Sequence, residues 1–338
     1  VLSQNPAKLR RHIFIMNHYP SNVKEKLNSI ILSMAEHHWL FSKNPGHDFT
    51  RQHLGKLSFY DTMRLIISMG KGSTNDEIMD YFDLDPDLIP SQSAFCQRRR
   101  QISLSAFEYL FSEFSSSFPS TTDKFKDHCI LACDGCHVVY ATNSDIIEDY
   151  NKPRLIDYKG YNHMHLNGFV DVISKAFLDV VIQPGQQPDE REALHSMLDH
   201  FTPDDPQKYI ITADRGYESY DLLFHCELKN LGYVFRVKSP SSQKSILSYY
   251  ASELPDDLEE FDVTIKRFFT DKATNIMKSQ SDVYRYINPS KNTPHFYELL
   301  RKNHSHLYFL QFRVVKIKTA ENTYEYLITN LPLSLIHI

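Results

Sequence analysis

Cysteine is scarce in this 338-residue chain. There are five, an odd number, which argues against a disulfide framework and fits a reducing cytosol. No stretch approaches the roughly 18 consecutive apolar residues of a membrane-spanning helix. No charged-then-apolar leader opens the chain, so secretion is not expected. Its first residue is Val1 rather than Met, which predicts an incomplete or processed N-terminus. Glycine (10) and proline (16) are too sparse for a disordered or linker-like polypeptide, and there is neither an internal repeat nor a low-complexity tract. What is present is a 41% apolar content, enough for a sizeable core, in a length that suits two domains or one large domain with an insertion.

The net charge of −5 speaks against a nucleic-acid binder when taken alone. The charge is segregated, however. Residues 1–60 hold eight Lys/Arg (Lys8, Arg10, Arg11, Lys24, Lys26, Lys43, Arg51, Lys56) against three acids, and residues 263–318 hold eleven against Asp271, Asp282 and Glu298. Acidic runs at Asp76–Asp87 and Glu253–Asp262 compensate them. A chain of this kind can hold a polyanion on one face while staying near neutral overall. Ordinary solvated surface explains the same numbers equally well.

The first 125 residues read as helical. Val23–Ala35 and Phe59–Met69 carry apolar residues at three- and four-residue spacing. Thr74 and Glu77 suit the cap and reciprocal acid of a helix start. Ser91–Arg100 and Leu104–Phe114 follow as short helices. With Arg98, Arg99 and Arg100 near their turn, they are compatible with a helix-turn-helix reader of DNA or with one solvated helix end. SMGKGST at Ser68–Thr74 is not a phosphate loop. Leu65 stands where that pattern needs glycine, and Gly72 rather than Ser or Thr follows Lys71.

Beyond the loop Ser115–Asp123 the pattern changes. Cys129–Asp134, His163–Val172, Ala176–Gln183, Lys208–Ala213 and Tyr233–Lys238 read as strands. Pro188–Phe201 reads as a helix opened by acids, and Tyr217–Leu231 as a helix stopped by Gly232. Alternation of this kind defines an α/β class. From Ser239 the helical period largely disappears, and Phe261–Phe269, Ser281–Ile287, His306–Ile317 and Thr323–Thr329 look like strands of a β-rich, basic insertion. The expected division is 1–122 helical, 123–238 the first part of an α/β core, 239–330 the insertion, and 331–338 a short end.

The apolar run ILACDGCHVVYA (Ile130–Ala141) carries Asp134 between Cys133 and Cys136. A structural zinc site needs four ligands at defined spacing. Cys129, Cys133, Cys136 and His137 instead crowd one strand, and Cys129, Leu131 and Cys133 share one face, as small core residues do. Asp134 has a partner in Asp214, which ends the strand KYIITAD. If the two strands lie side by side, both carboxylates leave the same sheet edge. Two acids held there repel, and a divalent cation with hard oxygen ligands relieves that. Such a cation, shared with phosphate, supports attack on a phosphodiester. Each acid alone could equally start a turn.

ACDG (Ala132–Gly135), ITADRGYES (Ile211–Ser219) and VFRVKS (Val234–Ser239) together resemble the insertion-sequence transposases of the DDE class, in particular the insertion-sequence-4-type group. Phe59–Phe82, Ser93–Phe111 and TNLP at Thr329–Pro332 extend the resemblance over most of the chain. It implies a ribonuclease-H-like core, a five-stranded mixed sheet flanked by helices and interrupted by a β-rich insertion. It also implies two Mg2+ or Mn2+ ions held by two aspartates and a glutamate. Asp134 matches the first acid and Asp214 the second. The implied chemistry is cleavage of transposon ends and transfer of the freed 3′-hydroxyl strand into target DNA, by a homodimer on paired ends, in a prokaryotic cytoplasm at the nucleoid. Arg215 and Tyr217 beside the second acid are candidate DNA contacts, though packing or capping suits them as well. Lys238, Lys266 and Arg267 are further DNA candidates.

The family's third acid lies in a Y-x2-R-x3-E-x6-K box beyond the insertion, and the sequence contains no such box. Tyr297–Arg301 has the wrong spacing, and Glu253, Glu259 and Glu260 belong to an acidic loop. After Pro332 only LSLIHI remains, so the expectation is a truncated transposase with impaired strand transfer. A ribonuclease-H-like nuclease, a catalytically dead DNA-binding remnant and a zinc protein built on the cysteines are the alternatives.

Overall fold

The computed structural model describes residues 22–50, 57–117, 124–152, 159–288 and 293–335. Lys8, Arg10, Arg11, Arg51 and Lys56 of the first basic block, most of the loop expected at Ser115–Asp123, and the last three residues lie outside them. The chain divides into two compact units, Val1–Pro119 and Ser120–Ile338.

The first unit is helical. It contains α1 (22–36), α2 (Phe59–Ser68), α3 (Thr74–Tyr81), α4 (Gln92–Gln101) and α5 (Leu104–Ser116). Their apolar stripes meet in two small cores, one around Ile31, Met34, Phe59, Met63 and Ala106 and one around Leu57, Leu65, Ile78 and Phe95. Serine caps three of the helix starts, with Ser58 accepting from Asp61 N, Ser73 from Asp76 N and Ser91 from Ala94 N. The cap of α3 is thus Ser73, one residue before the expected Thr74. Glu77 does not close a capping box. Its carboxylate accepts from Gly70 N (2.9 Å) and Gly72 N (2.7 Å), so the side chain that was to cap the helix fills the glycine bend instead.

The second unit is mixed α/β around one ten-stranded sheet. The strands are β1 (Cys129–Tyr140), β2 (Tyr150–Asn151), β3 (Tyr161–Asp171), β4 (Phe177–Pro184), β5 (Tyr209–Ala213), β6 (Gly232–Val237), β7 (Phe261–Thr270), β8 (Tyr284–Tyr286), β9 (Leu307–Ala320) and β10 (Thr323–Thr329). They lie in the order β2-β3-β1-β5-β6-β10-β9-β7-β8, with β4 also paired to β3. β1, β5 and β6 run parallel to one another, and β10 returns antiparallel on β6. The helices are α6 (Glu190–His200), α7 (Tyr220–Leu228), α8 (Asn275–Ser279) and α9 (Pro294–Lys302). Leu222 to Cys226 of α7 are all buried, the mark of a helix enclosed by its unit. Phe224 packs against Phe269, Phe296 and Tyr308.

Four expectations change. β1 does not end at Asp134 but runs six residues further, because Gly135–Tyr140 pair antiparallel with β3. The helix expected over Tyr217–Leu231 is shortened to Tyr220–Leu228. Ser219 caps it, Asn230 adopts φ 55° beyond it, and Gly232 opens β6 instead of stopping the helix. The β-rich block contains the amphipathic α9, whose Phe296, Leu299 and Leu300 are buried, and only Tyr284–Tyr286 of Ser281–Ile287 is strand. Its long strands extend the same sheet through the β10–β6 pairing, so the sheet has ten strands rather than five.

Candidate functional site

β1 and β5 are parallel neighbours with Cys133 opposite Ala213, so the next residue on each chain is an aspartate. Asp134 and Asp214 are both exposed. Beyond this point β1 pairs only with β3, Asp134 facing Gly168, while the chain after β5 turns away. Asp214 shapes that turn. Its Oδ1 accepts from Gly216 N at 2.6 Å and its carbonyl from Tyr217 N at 3.1 Å. Asp134 Oδ1 accepts from Gly135 N at 2.9 Å.

The turn is anchored from below. Tyr217 is buried, its hydroxyl accepting from Cys133 Sγ at 3.5 Å. Burial pushes the Cys133 thiol up to about 12 and the Tyr217 phenol well above its ordinary value, so neither ionises near neutrality. Glu218, also buried, accepts from Ser245 Oγ (2.8 Å), Ile246 N (2.6 Å) and Lys238 N (3.1 Å). It ties the DRGYE turn to the end of β6. Lys238 Nζ bonds Glu218 Oε2 and the Arg215 carbonyl, each at 3.3 Å.

A third carboxylate stands beside the pair. Asp189 caps α6 by accepting from Arg191 N and Glu192 N, and Glu190 at its first position reaches toward Gly135 in β1 and Gly216 in the turn after β5. A Cβ placed on Gly135 would lie 3.0 Å from Glu190 Oε1, and one on Gly216 would lie 2.9 Å from both Glu190 Oε2 and Asp214 Oδ1. Arg191 Nε donates to the Gly216 carbonyl at 3.2 Å, docking α6 onto the turn. Glu190 Oε1 also faces the buried His165 Nε2 at 3.3 Å, an ion-pair distance without hydrogen-bond geometry. The amide oxygen of the fully buried Asn167, opposite Gly135 on β3, has no hydrogen-bond partner. These donors are oxygen-rich and suit a hard divalent cation. Among the described residues the three carboxylates do not all come within 4.8 Å of one another.

The sequence points to Glu190 only as a helix-start acid, and to Glu218 not at all. The signal for Glu190 is the glycine shortly after each aspartate, since Gly135 and Gly216 leave space that its carboxylate borders.

The remaining candidates separate by burial. Arg215 and Lys266 are exposed. Tyr217 is fully buried on Cys133, and Arg267 is buried and paired with Glu253; the DNA contacts expected of these two are corrected to packing and ion-pair roles. Arg99 and Arg100 are exposed at the end of α4, whereas Arg98 lies over the Phe49 ring and donates to Gln101 Oε1. Cys129 and Cys133 are buried core residues, and among the described residues no group of three metal-capable side chains includes a cysteine. A cavity of about 830 Å3 around Tyr150, Asn151 and Pro184 contains none of the candidate acids.

A family model described as Transposase DDE domain matches residues 125–322, more than half of the chain. No curated protein matches. Among solved structures, the piggyBac transposase synaptic complex with hairpin DNA is similar at 10% identity and a TM-score of 0.37, over 84% of this chain and 59% of that one. Ciona intestinalis endonuclease V, in complex with DNA containing an inosine, is similar at 10% identity and a TM-score of 0.21, over 47% of this chain and 70% of that one. No helix among the described residues is long and apolar enough to cross a membrane.

Proposed function

The chain belongs to the transposase DDE domain family, and we propose that Asp134, Asp214 and Glu190 are its acids for metal-dependent phosphodiester chemistry on DNA. The observation that carries this reading is the β1–β5 register, which sets two exposed aspartates one residue past paired Cys133 and Ala213. The order β4-β3-β1-β5-β6, three antiparallel strands followed by two parallel ones, supports a ribonuclease-H-like core of the insertion-sequence-4 type. The chain spans 59% of the length of the similar transposase structure.

Asp134 and Asp214 would hold Mg2+ or Mn2+, with Glu190 as the nearest further oxygen donor. Bound there, the cation would polarise a scissile phosphate and favour a hydroxide nucleophile. The chain's own residues do the positioning. The turn after β5 orients Asp214 through Gly216 N, Glu218 fixes that turn from within, and Arg191 fixes α6 against it. Arg215 and Lys266, both exposed, supply positive charge for a DNA backbone, with a second copy of the chain on the other transposon end.

The test is incubation of the full chain with labelled transposon-end DNA in Mg2+ or Mn2+. Metal-dependent nicking that disappears in Asp134→Asn and Asp214→Asn, with DNA binding retained, is the expected result. Nicking unchanged in both variants would overturn the reading. The spacing of the three carboxylates favours one second reading, a DNA-end binder without cleavage, for which both variants would bind normally and wild type would not cut.

A further inference from the structure

Away from the aspartates, three imidazoles from three helices converge. His195 comes from α6, His225 from α7, and His295 from the first turn of α9. One ring nitrogen from each lies within 4.8 Å of the others. The rings are stacked, with centroids 3.8 Å apart for His225–His295 and 4.5 Å for His195–His295. His225 is buried and the other two are nearly so.

The tautomers decide what this cluster can hold. Each imidazole has one nitrogen on a carboxylate: His225 Nε2 is 3.2 Å from Asp199 Oδ1, His295 Nδ1 is 2.6 Å from Asp221 Oδ2, and His195 Nε2 is 3.5 Å from the same Asp221 oxygen. Only the His295 contact has hydrogen-bond geometry; a carboxylate accepts only, so it places the N–H of His295 on Nδ1, while the other two are charge contacts. The lone pair of His295 then falls on Nε2. His195 Nδ1 and His225 Nδ1 are 2.9 Å apart. The two nitrogens share one hydrogen bond, and a cation taking both requires the donor ring's proton to shift to its Nε2, on the carboxylate side. Imidazoles oriented by carboxylates through their far nitrogen are the arrangement found around zinc. Asp221 is itself held in place, buried, with Oδ1 accepting from His295 N (3.1 Å) and Phe296 N (3.3 Å). A polar cavity of about 400 Å3, lined by His195, His295, Asp199 and Asp221, gives a cation a way in and room for a water ligand.

We propose that His195, His225 and His295 form a zinc site, separate from the paired aspartates, oriented by Asp199 and Asp221. Three imidazoles favour zinc over magnesium, which prefers oxygen. Because imidazole lone pairs lie in the ring planes and these rings are nearly parallel, the ion would turn them out of their stack as it clamps α9, from the β-rich block, onto α6 and α7 of the core.

The test is equilibrium dialysis of the full-length chain against Zn2+ at neutral pH, with Co2+ as a spectroscopic substitute. The expected result is one zinc per chain and an intense visible Co2+ spectrum of tetrahedral type. Both should survive in the double variant Asp134→Asn/Asp214→Asn and be lost in His295→Ala. Should His295→Ala fail to fold, His295→Gln and the wild-type Co2+ spectrum carry the decision. A folded wild-type chain that takes up no zinc would overturn the proposal. So would zinc that persists in the folded His295 variants, or zinc that leaves with the two aspartates or with Cys136→Ala. Because the aspartate variants are scored separately, failure here leaves the phosphodiester reading standing, and the reverse.

Discussion

Gly135 and Gly216 show how much the site depends on missing atoms. An alanine at 135 would drive its Cβ against His165 Nε2, with Asn167 and Glu190 close behind, inside a buried pocket. Overpacking there should cost about 1–3 kcal/mol in urea denaturation. At the exposed Gly216 the new methyl would press on the flexible ends of Asp214 and Glu190, so Gly216→Ala should lower nicking with far less loss of stability. Equal stability losses in the two variants would contradict this. Glu190→Gln keeps the shape and removes the charge. If Glu190 shares a cation with the aspartates, Mg2+-dependent nicking should fall by roughly 10- to 100-fold, and unchanged nicking would remove Glu190 from the site. The cysteines give a chemical check. Cys136 is exposed, while burial raises the Cys133 thiol to about 12, so in the native chain near pH 8 Cys136 should alkylate promptly and Cys133 only on unfolding. Peptide mass spectrometry that found equal rates would show the packing around Cys133 to be wrong.

At the scale of elements, β1 does two tasks along its length. Cys129–Cys133 form a parallel ladder with β5, and Gly135–Tyr140 continue against β3 alone. Asp134 therefore sits where the sheet loses one neighbour, which opens room for a ligand beside a rigid strand. α7 is the structural opposite, enclosed on nearly every side, with the Phe224 ring among Phe269, Phe296 and Tyr308. Phe224→Ala should destabilise the unit by about 3–5 kcal/mol in urea denaturation, the usual cost of emptying an aromatic site in a core. A loss below about 1 kcal/mol would mean that α7 is less enclosed than described.

Over the whole molecule, the basic surplus of residues 263–318 is smaller than the count suggests. Arg267, Arg313 and Lys316 are buried and engaged with Glu253, Asp262 and Asp256, and Lys318 pairs with Glu259. The acidic run at Glu253–Asp262 is in large part the partner of the basic block. Lys266 remains exposed. Lys266→Ala should therefore weaken DNA binding and reduce the salt dependence by about one phosphate contact, whereas Arg267→Ala should act on stability. A salt slope unaffected by Lys266→Ala would place the DNA elsewhere.

Much of this protein was legible without coordinates. The period of its apolar residues marks α1, α2, α4 to α6, β3 to β7 and β10 to within a few residues, and cap residues mark the start of α3, because hydrophobic periodicity and helix caps are local physics. The neighbouring of β1 and β5, with Asp134 and Asp214 each one residue past their paired segment, was legible too, since it needs only the right strand order. The helix α9 was missed because an amphipathic stretch of nine residues among β-branched and aromatic ones carries little local signal. Glu190, Glu218 and the three histidines were missed for a different reason. A helix-start acid, a turn acid and His195, His225 and His295, spread over a hundred residues, have no common pattern along the chain. Only the packing of α6 against the turn after β5, and of α9 against α7, brings their charges and lone pairs within reach of one another. The sequence by itself determined most of the strands and helices and set Asp134 and Asp214 one residue past the paired ends of neighbouring strands. The tertiary structure decided what stands beside those aspartates and where imidazole nitrogens face one another, because contact between distant side chains is a property of packing and not of order.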